Sequence, residues 1–187
     1  GFQGSDPFPG FDNRSSYVDH AFVIPNMYVT IPIGENATFA IGQFTPFGLR
    51  TDWDNGNTYS GRFISQDANI KTASIQPSFA WKTSDGRFAV GAGVEYRLSW
   101  IALERNTPSI NPYTQRVVDI AHVRLESDWS DGLGWNVGMM YRPSEDWSLG
   151  VNYRAEMDID YTGDATFTQV LTGYPQFDAA VRAQLPP

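Results

Sequence analysis

Apolar and polar residues alternate with a period of two through most of the chain, and the longest alternation runs from Phe88 to Arg105. The even positions up to Ala102 are apolar, and the odd positions up to Ser99 are small or charged. This period is typical of a β-strand, whose successive side chains point to opposite faces. About 15 residues of alternation would extend ~50 Å, whereas ordinary strands have five or six residues. This length, with one uniformly apolar face, predicts the wall of a membrane barrel.

Several other segments alternate in the same way, including one whose odd positions are apolar from Trp147 to Tyr161 and are expected to face lipid. We therefore predict an all-β fold of about seven long antiparallel strands. Their approximate ranges are 18–33, 37–49, 69–83, 86–105, 119–142, 146–161 and 176–185. Aromatic residues lie toward the strand ends, as the girdles at the two membrane interfaces require. Short turns and long polar loops between the strands are also typical of outer-membrane barrels.

The number of strands bears on whether the barrel is complete. The parity of the apolar positions predicts a single strand over 119–142, despite the turn-like pair Asp131-Gly132. Bacterial single-chain barrels have even strand numbers from eight upward, so seven strands predict part of a larger barrel. The chain also has no initiator Met and no signal peptide. We expect residues 1–187, a partial barrel domain, to be a processed or excised piece.

Composition excludes several other classes of protein. Among 187 residues, 17 Gly and 12 Pro oppose a helical bundle, since each costs about 1–3 kcal/mol inside a helix. The net charge of −8 is opposite to the field that a nucleic-acid binder needs, so no nucleic-acid partner is expected. The chain has no Cys and only two His. These counts indicate neither a metal site nor a catalytic triad, and we expect no enzyme activity, cofactor or metal.

A soluble antiparallel barrel or sandwich is the alternative fold, because it would also bury one apolar face. It explains the alternation, but neither the strand lengths nor the many Trp and Tyr residues on the apolar face. The chain has no apolar run of the ~18 residues that a membrane helix needs. Transmembrane strands do not need such a run, so we predict a membrane barrel.

The first candidate functional feature is the segment Thr45-Pro46-Phe47-Gly48. Pro46 removes one backbone donor from an alternating segment, and Gly48 loosens the backbone. In a closed barrel every strand is central, so a proline here predicts a kink in the wall. A simple strand end before the following long loop is an alternative interpretation of the same residues.

The second candidate is the upper end of the long strand, where the inward positions change from glycine and charged residues to Ile101, Leu103 and then Arg105. Apolar side chains below a guanidinium suit a ligand with a hydrocarbon tail and an anionic head, because arginine binds carboxylates in a bidentate way. The alternative interpretation is an arginine that solvates the loop and pairs with Glu104.

Several segments together resemble the outer-membrane long-chain fatty-acid and hydrophobic-compound transporter family of the FadL/TodX type, also called OMPP1. These segments are Pro25–Val29, Pro46–Asp52, Tyr59–Arg62, Val90–Gly93, Gly134–Gly138, Tyr153–Glu156 and Gly163–Ala165. Their order and spacing agree from about residue 23 to residue 168. Each piece is weak by itself, and the specificity comes from the ordered set.

The resemblance implies a 14-stranded barrel whose lumen is plugged by an N-terminal hatch. This chain would contribute strands two to seven and the start of the eighth. The hatch, the first strand and the C-terminal half of the barrel would be absent from it. The resemblance also implies that Thr45–Gly48 is an inward kink that opens the wall sideways, and that Arg105 lies near the ligand head group.

The implied function is passive uptake of long-chain fatty acids or other hydrophobic compounds across the bacterial outer membrane. The ligand would pass Ile101, Leu103 and Arg105 and leave laterally through the kink. The implied partners are a fatty acid or apolar small molecule and outer-membrane lipid, with a monomeric full-length parent. A general porin or surface barrel is the alternative function, and a soluble lipid-binding barrel is a third; Ile101 and Leu103 argue against the wholly polar lumen of a porin.

Overall fold

The computed structural model describes residues 2–3, 14–19, 21, 23–54 and 56–186. The strands are β1 (Phe2–Gln3), β2 (Arg14–Ser15), β3 (Met27–Ile33), β4 (Ala37–Phe44), β5 (Gly48–Asp52), β6 (Asp67–Lys82), β7 (Phe88–Ile110), β8 (Val117–Ser127), β9 (Ser130–Ser144), β10 (Trp147–Arg154) and β11 (Gly163–Gln169). A 3-10 helix spans Ser60–Phe63, and helix α1 spans Pro175–Arg182. None of the described helices is long and apolar enough to cross a membrane.

Strands β3 to β11 form one antiparallel sheet that is organised around β7. β7 has 23 residues and would extend about 75 Å if straight. One of its edges pairs with β6 from Ala89 to Glu104. The other edge pairs first with β9 and then with β8, so these two strands share one strand position. Only Asp128 and Trp129 separate β8 from β9.

The two faces of the sheet are inverted relative to a soluble protein. On β7, Glu95 and Ser99 are each 1% exposed, whereas Val94 and Tyr96 are 47% and 41% exposed. Soluble proteins bury their apolar face, and a membrane barrel turns it toward lipid and keeps polar residues inside. We call the face that carries Glu95 the lumen side and the face that carries Val94 the membrane side. The sheet is therefore the wall of a transmembrane β-barrel, and it is open in the described residues.

The segment 155–162, which we call the crossover, leaves the sheet after β10 and rejoins it at β11. It passes over the lumen side of β9. A Cβ atom on Gly132 would lie 2.8 Å from Cγ1 of Ile159, and one on Gly134 would lie 2.7 Å from Cε of Met157. These glycines stand opposite Arg97 and Glu95 in the ladder, which places them on the lumen side. Because these two glycines have no side chains, the crossover has room to pass over β9.

The expectation that the odd positions through Tyr161 face lipid is therefore wrong for the crossover. Met157 and Ile159 lie against the lumen side of β9, and the Tyr161 hydroxyl is 2.7 Å from Oγ of Ser99, also on the lumen side. The sequence still alternates after Arg154, but the strand ends there. Successive side chains point to opposite faces only in a paired strand, so the alternation no longer predicts which side chains face lipid.

The predicted strand over 176–185 is also wrong, because Pro175–Arg182 is an α-helix. Proline suits the first helical turn, where its missing N–H would have had no partner. Phe177 and Val181 are four residues apart and share one helix face, and Val181 is buried. Hydrogen bonds from Thr172 lower the pKa of the Asp178 carboxylate and hold it in the first turn. The strand was expected from the apolar positions Phe177, Ala179, Val181 and Leu185, which are too few to separate the period of a strand from that of a helix.

Other strand ends differ from the expected ranges. The first predicted strand, 18–33, is in a ladder only from Met27, and residues 20 and 22 lie outside the described part. Before that point Tyr17 forms an isolated bridge with Trp53. β7 continues past Arg105 to Ile110, because its last residues pair with β8. The expected ranges 69–83 and 86–105 agree best with the observed strands, β6 and β7. The single strand expected over 119–142 is wrong, because β8 and β9 are separated at Asp128 and Trp129.

Gly163 offers a test of how the crossover returns to the sheet. A Cβ atom there would lie 2.1 Å from the backbone oxygen of Glu126, whereas one on Gly150 would lie 3.9 Å from its nearest neighbour. In the full-length protein, Gly163→Ala should lower the free energy of unfolding by about 1–3 kcal/mol. Gly150→Ala is the matched control and should change it by less than about 0.5 kcal/mol. Urea unfolding in lipid vesicles measures both, and equal effects would contradict this geometry.

Candidate lumen and lateral-exit site

The strand that carries Pro46 is interrupted but does not end there. β4 and β5 both pair with β6, with Phe44 opposite Ser74 and Gly48 opposite Lys71. Four steps along β4 and β5 therefore correspond to three along β6. The extra residue makes residues 45–47 a bulge, in which a proline without an N–H costs no ladder bond. The structure places an interrupted strand at these positions, not a strand end before a loop.

Side chains replace the missing ladder bonds at this interruption. The Phe47 N–H donates to Oγ1 of Thr72 at 3.0 Å, and the Thr72 hydroxyl donates back to the Phe47 carbonyl oxygen. The Thr45 N–H donates to Oδ1 of Asn26 at 3.4 Å. Sequence reasoning missed Thr72 and Asn26. No local signal distinguishes Thr72 from the other small polar residues on the lumen side of β6.

A cavity of about 470 Å³, which we call the break cavity, lies on the lumen side beside the interruption. Its lining residues are Pro46, Phe47, Gly48, Leu49, Ile70, Thr72, Arg97, Ser99, Ile101, Ile159 and Tyr161. Three of the predicted kink residues and Ile101 therefore line one cavity. Thr45 contributes a backbone hydrogen bond to the interruption but does not line the cavity.

Arg97 is the cation in the break cavity, and its charge is compensated. Its Nη2 is 2.5 Å from Oε1 of Glu95, and the Ser74 hydroxyl donates to the same oxygen at 2.7 Å. The guanidinium carbon lies 4.9 Å from the centroid of the Phe47 ring, within cation–π range. Sequence reasoning placed Glu95 and Arg97 in the lumen but did not include them in the site. The signal was present, since opposite charges two residues apart share one strand face.

A second cavity, which we call the upper cavity, has a volume of about 350 Å³. Its lining includes Ile101, Leu103, Leu125, Tyr161, Thr162 and Ala165. Leu103 stands opposite Leu125 in the ladder, which explains why two leucines meet here on the lumen side. The upper cavity is mostly apolar, in contrast to the polar lumen side around Glu95.

Arg105 follows Leu103 on the same face of β7 and lies outside both cavities. It is exposed, and its side chain makes no hydrogen bond or ion pair with any described residue. Glu104, the partner in the alternative interpretation, instead forms an ion pair with Arg124, and its Oε2 lies 3.5 Å from Nε2 of His122. Arg105 therefore carries an uncompensated positive charge about 13 Å along the strand from Ile101.

The polar loop between β5 and β6 lies at the same end of the sheet as Arg105. Arg62 is completely buried, and its Nε is 3.0 Å from Oδ1 of Asp119 on β8. Burial raises the pKa of Tyr59 to about 12 against the opposing charge of Arg62, so its hydroxyl stays a donor to the Ser65 carbonyl oxygen. The described residues contain no group of three or more His, Cys, Asp or Glu side chains that could hold a metal ion.

The inverted sheet and the apolar lumen patch define the wall of a transmembrane β-barrel with apolar cavities on its lumen side. A family model described as outer membrane protein transport protein (OMPP1/FadL/TodX) matches residues 4–186. The chain belongs to this family, which transports hydrophobic compounds across the bacterial outer membrane, and the outer membrane is its location.

Curated relatives cover most of this chain. Outer membrane protein P1 of Haemophilus influenzae strain Rd is 26% identical over 183 residues, covering 86% of this chain and 39% of the relative. The long-chain fatty acid transport protein of Escherichia coli O6:H1 is 23% identical over 159 residues, covering 75% and 34%. A 47 kDa outer membrane protein of Pasteurella multocida is 25% identical over 167 residues, covering 85% and 38%. The chain thus spans between a third and two fifths of these relatives.

The fold is shared with a solved structure. The crystal structure of a Pseudomonas aeruginosa FadL homologue superposes with a TM-score of 0.67 at 23% identity. The match covers 78% of this chain and 34% of the homologue. This similarity supports the barrel architecture, and the open sheet agrees with a match to only part of a barrel.

The hydrogen bonds of Thr72 lead to a testable prediction about the interruption. Thr72→Val keeps the branched shape but leaves the Phe47 N–H and carbonyl without their partner. In the full-length protein it should lower the free energy of unfolding by about 1–3 kcal/mol. Thr72→Ser keeps the hydroxyl and should lose clearly less. Urea unfolding in lipid vesicles would test this, and equal losses for the two variants would show that the hydroxyl is unimportant.

Proposed function

We propose that the full-length protein takes up long-chain fatty acids or similar apolar compounds passively, and that they leave sideways at the interruption between β4 and β5. The observation that carries this proposal is the pair of neighbouring lumen-side cavities, which extend from Leu103 to Pro46, Phe47 and Gly48. The relatives of this chain include proteins named for long-chain fatty acid transport. A wholly polar lumen would favour a general porin, and Ile101, Leu103 and Leu125 argue against it.

The apolar tail supplies most of the binding free energy in this proposal. Each CH₂ group that moves from water into an apolar cavity contributes about 0.8 kcal/mol. Ile101 lines both cavities, so a long tail would contact it on either side. Uptake is then a downhill transfer from water to an apolar site and finally to membrane lipid, and it needs no other energy source.

Arg105 is the better candidate for the anionic head group, because its charge is free. Arg97 is closer to the interruption, but Glu95 already neutralises it. A carboxylate at Arg97 would be repelled by Glu95, whereas one at Arg105 meets a guanidinium with no described partner. The head group would then lie above Leu103 while the tail occupies the upper cavity.

The interruption is the proposed exit because no continuous ladder of backbone hydrogen bonds joins the neighbouring strands at this point. Residues 45–47 have no Cα partners in β6, and the Thr45 N–H and both backbone groups of Phe47 bond to side chains instead. A sideways exit delivers the ligand directly into membrane lipid. An apolar compound then avoids crossing the polar part of the lumen near Glu95.

Arg105 can be tested by comparing two ligands of equal length. Arg105→Ala in the full-length protein should weaken binding of a long-chain fatty acid tenfold or more, because a desolvated charge-assisted hydrogen bond contributes about 1.5–3 kcal/mol. Binding of the matching uncharged hydrocarbon should stay within about twofold. Arg87→Ala, at the other end of β7, is the control and should affect neither ligand. Equal weakening of both ligands by Arg105→Ala would make this arginine structural.

The exit can be tested by restoring the register of the wall. Deletion of Pro46 removes the extra residue, so that the ladder with β6 can continue without a bulge from Phe44 to Gly48. Uptake by cells should slow, while equilibrium binding of the fatty acid stays within about twofold. Pro46→Ala keeps the extra residue and should slow uptake less. If the deletion variant folds and takes up the ligand at the parent rate, the ligand leaves by another route.

A further inference from the structure

Two residues separate the cavities through which the proposed ligand path runs. Among the described residues, only Ile101 and Tyr161 line both the upper cavity and the break cavity. A ligand that moves directly from one cavity to the other passes beside these two side chains. Their freedom to move therefore decides whether the passage is open.

Ile101 is fixed by the sheet. It stands opposite Ile70 in the ladder between β6 and β7, and its N–H donates to Oγ of Ser127 at 2.9 Å on the other side. Moving the backbone of Ile101 would disturb its pairing with β6 and break its hydrogen bond to Ser127. In a membrane wall, lost backbone hydrogen bonds are especially costly.

Tyr161 is held more weakly. It lies on the crossover, outside the ladder, and the Thr162 carbonyl oxygen beside it accepts the Asp128 N–H at 2.8 Å. The hydroxyl of Tyr161 is 2.7 Å from Oγ of Ser99, which joins positions 62 residues apart. The ring can leave the passage by breaking this one hydrogen bond, with no loss of strand pairing.

The rest of the crossover is anchored, which confines movement to the Tyr161 end. Ile159 and Met157 rest on Gly132 and Gly134. At the start of the crossover, the Ala155 N–H donates to the Trp135 carbonyl oxygen at 2.9 Å. The anchored part keeps the Tyr161 ring in place over Ser99 when the passage is closed.

We propose that Tyr161 controls passage between the upper cavity and the break cavity, and that its hydrogen bond to Ser99 holds the passage closed. This inference rests on the proposed function, because it assigns the step between entry and lateral exit to one side chain. An apolar tail displaces the ring from between Ile101 and Ser99, and the ring returns when the tail has left.

The test uses a reporter cysteine beyond the passage. Ile70 lines the break cavity but not the upper cavity, so Ile70→Cys is introduced into a cysteine-free full-length protein in lipid nanodiscs. A small charged methanethiosulfonate reagent cannot cross lipid and reaches this cysteine through the lumen. Tyr161→Phe and Ser99→Ala should each raise its modification rate about three- to tenfold, as the loss of one hydrogen bond implies.

Tyr153→Phe is the matched control, because Tyr153 is an exposed tyrosine of β10 whose ring packs at an angle against that of Trp135. It should leave the modification rate unchanged. The double variant of Tyr161 and Ser99 should modify no faster than either single variant, because both remove the same bond. Unchanged rates in Tyr161→Phe and Ser99→Ala would overturn the proposal. If one variant does not assemble, the other decides.

Uptake of a fatty acid by the same variants separates this inference from the proposed function. Faster modification together with faster uptake supports both. Faster modification with uptake at the parent rate supports control of the passage by Tyr161 and contradicts lateral exit through the break cavity. Slower modification in either single variant would show that the hydrogen bond keeps the passage open, which overturns the inference.

Discussion

The requirement that every backbone N–H and carbonyl group in hydrocarbon has a hydrogen-bond partner governs this structure. β7 meets it by pairing along both edges, with β6 on one side and with β9 and β8 on the other. Where the ladder stops, at residues 45–47, Thr72 and Asn26 supply the missing partners. An interruption in the wall is therefore possible only where the neighbouring strand carries a suitable side chain, and this places the candidate exit beside Thr72.

The lumen side changes character along β7, and the candidate site lies at the change. Below Ser99 the side chains are small or charged, and the ion pair of Glu95 with Arg97 is buried there. Above it, Ile101 and Leu103 make the surface apolar. Glycines on β9 admit the crossover, which brings Tyr161 to this boundary. Polar and apolar regions thus meet where two cavities adjoin, which suits an amphipathic ligand that enters head-first or tail-first.

Much of the fold followed from local patterns, and the errors have identifiable causes. The alternation of β7 predicted its faces, since a paired strand has no other way to orient its side chains. The same rule was wrong for Met157, Ile159 and Tyr161, because the crossover has no ladder partner. The helix at Pro175–Arg182 was missed because a short apolar pattern fits both periods. Among the residues that line the break cavity, Ile101 and Pro46 were candidates from the sequence, whereas Thr72 and Arg97 were not.

By itself the sequence determined the class of protein and the membrane-side and lumen-side residues of the long strands, and it left a kink and a strand end as alternatives at Pro46. These properties depend on residues that are close in the sequence: the alternation of apolar and polar positions, and the missing backbone N–H of Pro46. Only the tertiary structure decided that β4 and β5 share one neighbour, that Glu95 neutralises Arg97, and that Tyr161 meets Ser99. These contacts depend on strand register and on the path of the crossover. Register is set by pairing between distant segments, which no local pattern in one sequence specifies.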